Sequence, residues 1–258
     1  MLSVVILIKN EEKNIVDCLE SILWADEIII VDDFSKDRTV EIIESFKNKK
    51  IRIYKNNLNN DFSAQRNFGL SKTTKKWILF LDADERVAEE LKEEINTIII
   101  NSSENVKDGY FVKRKDVIWG KMLNHGESGN IKLLRFGKKH SGVWVGKVHE
   151  EWQVNGKTEE LGSFLLHYPH QTLNEFLTEI NFYSSLRANE LYEKKITVSY
   201  LDLLKYPVAK FLLNYFLKLG FLDKMEGLIF ALMMSFHSFL VRGKLWLLWQ
   251  KKNSSVYS

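Results

Sequence analysis

Short runs of apolar residues alternate with segments of helical periodicity along the first part of the chain. The runs are rich in β-branched and aromatic residues, which predicts strands at 4–8, 27–31, 51–54 and 77–81. Between them, apolar residues recur at spacings of three and four, which predicts helices. We expect Asn10 and Asp37 to cap the first two. Repeated strand–helix units of this length predict a parallel sheet with right-handed crossovers.

The pattern changes after the fourth helix. Short strands separated by glycine and asparagine are predicted at 109–114, 131–136, 143–148 and 160–166. Such strands are typical of antiparallel additions to a sheet. From about Thr172 onward the periodicity is helical throughout, with helices expected at 199–219 and 223–241. We therefore predict an α/β fold with a mainly parallel central sheet flanked by helices in domain 1–171, and a C-terminal helical region in domain 172–258.

The composition is that of a globular protein, with 45% hydrophobic and 28% charged residues among 258. The formal net charge of +3 is too small to favour a nucleic-acid partner. Cys18 is the one cysteine, so no intramolecular disulfide can form and a reducing, cytoplasmic compartment is expected. The N-terminus leads directly into an apolar strand without a basic leader, and we expect no signal peptide.

The last predicted helix, 223–241, is apolar on all sides but shorter than the roughly 20 residues that span a bilayer. Basic residues flank it on both sides, and two tryptophans stand among those that follow it: before it Lys205, Lys210 and Lys218, after it Arg242, Lys244, Trp246, Trp249, Lys251 and Lys252. This combination favours an interfacial membrane anchor. A buried helical subdomain or a homodimer interface would give the same pattern.

Two carboxylates follow the buried strand 77–81 directly, at Asp82 and Asp84. Alternate residues of a strand share a face, so both side chains can point the same way. The carboxyl end of a strand in an open α/β sheet faces the ligand crevice, where a divalent cation would hold two such acids together. The alternative is a pair of solvated acids before a helix. Asp32 and Asp33 end another strand at the same edge, which favours the functional interpretation.

Four motifs in order give the chain a resemblance to the family 2 glycosyltransferases, inverting enzymes of the GT-A fold. Residues 3–15 resemble the family's first strand and helix start. Ile30–Thr39 is similar to Val-Asp-Asp-Gly-Ser-x-Asp-x-Thr, with Phe34 where glycine is common. Ala64–Leu70 resembles Ala-Arg-Asn-x-Gly, and Leu81–Glu85 matches Asp-x-Asp.

A fifth segment, Trp144–Glu151, resembles the branch that includes lipopolysaccharide-core glucosyltransferases and peptide S-glycosyltransferases. The loop-rich middle of the chain, in which this segment lies, is where acceptor specificity usually resides. The resemblance therefore leaves several acceptors open, among them a lipid-linked glycan, a lipopolysaccharide core and a peptide.

The resemblance implies a nucleotide-sugar donor, with a UDP-sugar preferred. Asp33 would accept a hydrogen bond from the imide N–H of uracil, and Asn10 and Glu11 would line the nucleotide pocket. Asp82 would lie near the ribose. Arg66 would add a positive charge beside the donor, although a surface arginine is the alternative for this position.

The resemblance also implies a divalent metal and a carboxylate base. Asp84 would bind Mn²⁺ or Mg²⁺, with Asp82 and His167 as further candidate ligands. The family often places its base in a Thr-Glu-Asp context, which is absent here. Glu150 is the preferred base, because it follows a strand in the acceptor region, and Glu151 is the alternative.

These expectations describe an inverting hexosyltransferase that acts on a cell-envelope glycan or lipid-linked acceptor at the inner face of the cytoplasmic membrane. A peptide glycosyltransferase of the same fold is one alternative. Two others belong to different classes, a non-catalytic scaffold of GT-A type and a phosphoacceptor receiver switch. The receiver is disfavoured because the acidic pair follows the second strand rather than the first.

Overall fold

The computed structural model describes residues 1–101, 106–147 and 150–254, without the side chains of residues 130 and 252–254. Val148 and His149, part of the Trp144–Glu151 segment, therefore lie outside the described residues. The chain divides into two units, one formed by 1–115 with 131–167 and the other by 116–130 with 168–258. The domain division at 171/172 stays a prediction.

The first unit contains a mixed β-sheet and four helices. Its strands are β1 (Leu2–Ile8), β2 (Glu27–Asp32), β3 (Ile51–Lys55), β4 (Trp77–Asp82), β5 (Glu85–Val87), β6 (Gly109–Ile118, whose end reaches the second unit), β8 (Ile131–Lys138), β9 (Gly142–Val145), β10 (Glu151–Val154) and β11 (Thr158–His167). Strand β7 (Lys121–Met122) belongs to the second unit. The helices are α1 (Ile15–Glu20), α2 (Thr39–Ser45), α3 (Phe62–Lys72) and α4 (Glu89–Ile100).

The sheet order is β3-β2-β1-β4-β8-β6-β11-β5. The first four strands are parallel, and β8 then runs antiparallel to both β4 and β6. Strand β11 pairs antiparallel with β5, while β9 and β10 form a separate antiparallel pair. The predicted α/β class, with antiparallel strands added in the middle of the chain, is confirmed.

Both faces of β1, β2 and β4 are buried, and alternate residues enter two different cores. Val4, Ile28 and Leu79 pack on one face with α1 and α4. Val5 and Phe80 pack on the other, where the core includes the tryptophans of β9 and β10. Burial on both faces explains why these strands are continuous apolar runs in the sequence.

The register of the parallel strands aligns their carboxyl ends. Ile8 pairs with Asp32, and Leu7 pairs with Asp82. The expectation that the two groups of acids lie along one edge of the sheet is therefore confirmed.

The first two helices do not begin where the sequence predicts. Helix α1 starts at Ile15, because Asn10 has a φ of 57° and its side-chain oxygen accepts a hydrogen bond from the amide of Lys36 instead of capping. In α2 the cap position is Arg38, and Asp37 binds the amide of Thr39. Both polar side chains thus join the β1 and β2 loops rather than serve as simple caps.

The second unit is helical. It contains α5 (Leu173–Glu193), α6 (Asp202–Leu212), a π-helical turn (Leu213–Leu217), a 3₁₀ turn (Gly220–Asp223) and α7 (Lys224–Ser254). Helix α7 packs against α5 and α6. Ile118 and Leu123, from the segment 116–130, join the same core as Phe176, Ile180 and Phe230.

The sequence underestimates the length of the last helix. Helix α7 has 31 residues rather than the predicted 19 of the range 223–241, so the expectation that it is too short to span a bilayer is wrong. Among the described residues, the helical stretch Gly220–Lys251 has the length and apolar composition of a membrane span. Only 22% of its most apolar window is buried in the protein.

Candidate active site

The carboxyl ends of β1, β2 and β4 carry most of the polar side chains that the sequence singles out. Asp33 follows β2 and is 8% exposed. Its Oδ2 accepts a hydrogen bond from Lys9 Nζ at 2.6 Å, and its Oδ1 accepts one from the Leu58 amide at 2.9 Å. Burial alone would raise the pKa of Asp33, but these two donors outweigh it and lower the pKa below its ordinary value. Asp33 is therefore held as an ionised acceptor.

Glu11 lies on the loop after β1 and is half-buried. Its amide donates to Thr39 Oγ1 at 2.7 Å, and its Oε2 accepts from Asn14 Nδ2 at 2.9 Å. Burial raises the pKa of Glu11, and the charges of Asp84, Asp37 and Asp82 add to the rise although the bond from Asn14 opposes it. Glu11 thus belongs to the same acidic region as the Asp82–Asp84 turn.

Asp82 binds two buried arginines. Arg66 of α3 donates from Nη2 to Oδ1 at 2.8 Å, and Arg135 of β8 donates from Nη2 to Oδ2 at 2.5 Å. Burial would raise the pKa of Asp82, but the charges of Arg135 and Arg66 hold it far below its usual range. Both carboxylate oxygens of Asp82 therefore accept hydrogen bonds from guanidinium groups. The assignment of Asp82 as a metal ligand stays a prediction.

Arg66 also connects Asp82 to the acceptor region. Its Nε donates to Glu150 Oε1 at 2.8 Å, and the arginine is 3% exposed. The alternative that Arg66 is a surface residue is therefore wrong. Glu151 begins β10 and is exposed. Of the two candidate bases, Glu150 contacts the arginine–carboxylate cluster directly.

Glu85 stabilises this cluster through a hydrogen bond to the backbone of Asp82. It is fully buried, and its Oε2 accepts the amide hydrogen of Asp82 at 2.9 Å. Its Oε1 lies 3.9 Å from both Arg135 Nη2 and Arg114 Nη1. Burial raises the pKa of Glu85, and the neighbouring Asp82 charge raises it further, against the opposing arginines and His167.

The ring of Trp144, on β9, lies against the guanidinium groups of both arginines. The guanidinium carbon of Arg66 lies 4.7 Å from the centre of the Trp144 ring, and that of Arg135 lies 5.9 Å from it. Asn67 fixes the position of Trp144, because its side chain accepts a hydrogen bond from the Trp144 amide and donates one to the Trp144 carbonyl. Two adjacent residues of one motif thus have different roles: Arg66 binds Asp82 and Glu150, and Asn67 holds Trp144 in place.

Asp84 is paired with His167 rather than with the arginines. The Oδ2 of Asp84 lies 3.2 Å from Nε2 of His167, at the end of β11. The pairing of β11 with β5, in which His167 stands opposite Glu85, brings the imidazole to the turn. A carboxylate is a suitable ligand for Mn²⁺ or Mg²⁺, whereas an imidazole beside it favours a transition-metal ion such as Mn²⁺ over Mg²⁺; both side chains are partly exposed. Among the described residues no group of three or more His, Cys, Asp and Glu could hold a metal ion, so further ligands would come from substrate or water.

The sequence analysis missed Arg135, Glu85 and Lys9. A signal for Arg135 is present in the sequence, because this arginine stands between Leu134 and Phe136 within a predicted strand. A charge in such a strand requires a buried partner. The identity of that partner depends on the pairing of β8 with β4, which the sequence does not display.

The chain is similar in sequence to known glycosyltransferases. Residues 3–155 match the family described as "Glycosyl transferase family 2". The "Lipopolysaccharide core biosynthesis glycosyltransferase LpsC" of Rhizobium meliloti (strain 1021) is 30% identical over 243 residues, which are 89% of this chain and 88% of LpsC. The "Uncharacterized glycosyltransferase RT0209" of Rickettsia typhi is 26% identical over 95% of this chain and 86% of its own.

A structural comparison matches the chain to S. aureus TarS 1–349 in complex with UDP-GlcNAc, with a TM-score of 0.49 and 16% identity over 92% of this chain and 81% of that one. The sequence matches extend across the strands and helices that carry the acidic edge and Arg66. The chain therefore belongs to glycosyl transferase family 2 and is a glycosyltransferase.

Proposed function

We propose that this protein is an inverting hexosyltransferase that uses a nucleoside-diphosphate sugar, with a UDP-sugar preferred, and a cell-envelope glycan or lipid-linked acceptor. The observation that carries the proposal is the meeting of Asp33, Asp82 and Asp84 at one edge of the sheet. The name of the LpsC relative supports a lipopolysaccharide core as the acceptor class.

The donor would bind across the ends of β1, β2 and β4. Asp33, ionised and held by the Leu58 amide, would accept the imide hydrogen of uracil. Asn10 and Glu11 would line the same pocket, and Asp82 would face the ribose. Arg66 Nη1 and the Nε and Nη1 of Arg135 are buried and find no hydrogen-bond partner among the described residues, which supports a polar ligand at this place.

The chemistry of Asp84 and His167 fits a divalent cation, Mn²⁺ or Mg²⁺. These two residues would hold it. When bound, the cation would supply positive charge to the diphosphate leaving group. Arg66 and Arg135 contribute fixed positive charge to the same region, which offsets the donor's negative charge without any movement of the protein.

Glu150 would act as the general base. The acceptor hydroxyl would give its proton to this carboxylate while its oxygen forms a bond to the anomeric carbon. The bond from that carbon to the diphosphate oxygen would break on the opposite face, which inverts the configuration. The 2.8 Å contact with Arg66 Nε fixes the orientation of Glu150. Glu151 is the alternative base.

The acceptor class also suggests a location. We propose that the enzyme works in the cytoplasm at the inner face of the cytoplasmic membrane, in contact with it through the C-terminal helices.

Titration calorimetry with UDP, GDP and ADP, each with Mn²⁺, tests the donor site, and hydrolysis or transfer of the matching nucleotide sugars tests catalysis. We expect UDP to bind most tightly. Glu150→Gln should lower turnover by about 10²–10⁴-fold with little change in UDP affinity, whereas Glu151→Gln, its exposed neighbour, should leave turnover nearly unchanged. Failure of every nucleotide diphosphate to bind would refute the proposal. Binding without turnover of any sugar would identify a scaffold.

A further inference from the structure

Helix α6 is apolar but buries none of its side chains. Seven of its eleven residues, Asp202–Leu212, are hydrophobic, and although the helix packs against α7 none of its side chains is fully buried. Leu201, Leu204, Val208 and Leu212 follow one another at spacings of three and four, and all four are exposed.

The exposed apolar surface continues past the end of α6. The π-helical turn, the 3₁₀ turn and the start of α7 add further exposed side chains. We call the whole set the apolar patch: Leu201, Leu204, Val208, Leu212, Leu213, Phe216, Leu217, Leu219, Phe221, Leu222 and Met225. Leu217 is 77% exposed and Leu201 is 76% exposed. Eleven large apolar side chains exposed within one stretch of 25 residues indicate an interaction site.

The charges around the apolar patch are positive. Residues 201–225, the range of the patch, contain four cations, Lys205, Lys210, Lys218 and Lys224, and two acids, Asp202 and Asp223. Asp223 is 3% exposed and accepts hydrogen bonds from the amides of 124 and 125, so it does not face solvent. Glu127 pairs with Lys210 at 2.5 Å and is 4.0 Å from Lys218. The surface therefore keeps a net positive charge after this pairing.

Positive charge beside exposed leucine and phenylalanine complements an anionic lipid surface. A second copy of the chain fits less well, because a two-fold contact through this patch brings identical lysines together. Tyr200 and Tyr206 are exposed beside the patch and suit the headgroup region, where aromatic residues with a polar tip are enriched.

The surroundings of α7 disfavour a crossing of the bilayer. Lys244 Nζ donates to the Asn181 carbonyl and to the hydroxyls of Ser184 and Ser185 on α5. Helix α5 also carries the exposed charges Arg187 and Glu190. A span fixed to so polar a helix would take these charges into hydrocarbon.

We propose that the apolar patch binds the surface of an anionic phospholipid bilayer and lies in its headgroup region without crossing it. This inference deepens the proposed function, since it assigns the membrane contact to one surface and one lipid charge. The apolar side chains would enter the outer part of the hydrocarbon, and the lysines would remain at the phosphates.

Co-sedimentation of the full-length protein with vesicles tests the proposal. The vesicles are phosphatidylcholine with or without phosphatidylglycerol. We expect binding to the anionic vesicles that weakens in high salt. The double variant Leu204→Glu/Leu217→Glu should lose binding by at least about tenfold, because two exposed side chains that would enter the bilayer are exchanged for charges. Lys205→Glu/Lys224→Glu should reduce binding to the anionic vesicles by about tenfold or more.

Ile100→Glu is the matched control, since Ile100 is an aliphatic side chain that is 79% exposed at the end of α4, outside the patch. Circular dichroism of each variant reports its folding, and its UDP affinity reports the donor site. Loss of lipid binding with unchanged UDP affinity would therefore be an effect on the apolar patch alone. Equal lipid binding by the wild type and the leucine variant would overturn the proposal. So would a wild-type dimer that only the leucine variant dissociates, or retention in membranes after extraction with high salt and alkali.

Discussion

Replacement of Arg135 by methionine removes one of the two buried charges that hold Asp82. Arg135 is 5% exposed, and its Nη2 lies 2.5 Å from Asp82 Oδ2 and 3.9 Å from Glu85 Oε1. Methionine retains much of the side-chain volume, so the cavity effect is small. The main consequence is a half-buried Asp82, with its side chain 30% exposed, that depends on Arg66 alone, while Arg66 also binds Glu150.

Loss of one partner from a buried ion pair costs about 3–5 kcal/mol. Because Arg66 remains, we expect the lower end, about 3 kcal/mol. For a protein of this size, about 1 kcal/mol shifts the unfolding midpoint by about 2–4 °C, so Arg135→Met should lower it by about 6–12 °C. The measurement is thermal unfolding followed by circular dichroism or calorimetry.

Lys132→Met is the matched control on the same strand. Lys132 pairs with Glu160 at 2.6 Å, but both side chains are exposed, and such a pair contributes about 0–1 kcal/mol. The double variant Arg135→Met/Asp82→Asn should be less unstable than the sum of its two single variants by about 1–3 kcal/mol. Equal midpoints for Arg135→Met and Lys132→Met, or strict additivity in the double variant, would contradict the assignment of Asp82 to the arginine pair.

Three further predictions concern packing, proton binding and the metal. Gly69→Ala should destabilise by about 1–3 kcal/mol in urea unfolding, because a Cβ there would lie 2.5 Å from Val5 Cγ1, whereas Gly243→Ala on α7 meets nothing within 4 Å and should be neutral or stabilising. The folded state raises the pKa of Glu11, so the native protein binds the proton more tightly and loses stability as pH rises above the ordinary value of 4.5. Glu11→Gln should therefore be more stable than the wild type at neutral pH, with a gain that disappears below pH 4.5, and a gain that grows on acidification would be the wrong sign. Asp84→Ala should abolish the dependence of nucleotide-sugar hydrolysis on Mn²⁺, measured as rate against Mn²⁺ concentration, and an unchanged dependence would exclude Asp84 as a ligand.

The four parallel strands could be predicted from the sequence, because the patterns that define them lie within short stretches of the chain. A strand buried on both faces is a continuous apolar run, and Asp61 caps α3 through the amide of Ala64 as its residue type suggests. The grouping of the acidic residues follows from the same logic, since parallel strands end at a common edge.

The ion pairs of Arg66 and Arg135 with Asp82 and Glu150 could not be predicted from the sequence, because most of them join residues far apart in the chain. Arg66 lies 84 positions from Glu150, and Arg135 lies 53 from Asp82. Each contact requires a particular register of an antiparallel strand or loop, and periodicity does not define that register. The short strand β5 was missed for the same reason, since its three residues are defined by their pairing with β11.

The second unit combines two separate stretches of chain, and this limits how the protein can change by recombination. Ile118 and Leu123 come from the segment 116–130, which is inserted between β6 and β8, and they share a core with Phe176 and Phe230. A chimera joined after β11 would combine foreign helices with the original insertion and leave these two side chains without their partners. The helices cannot be exchanged as a module in a single crossover.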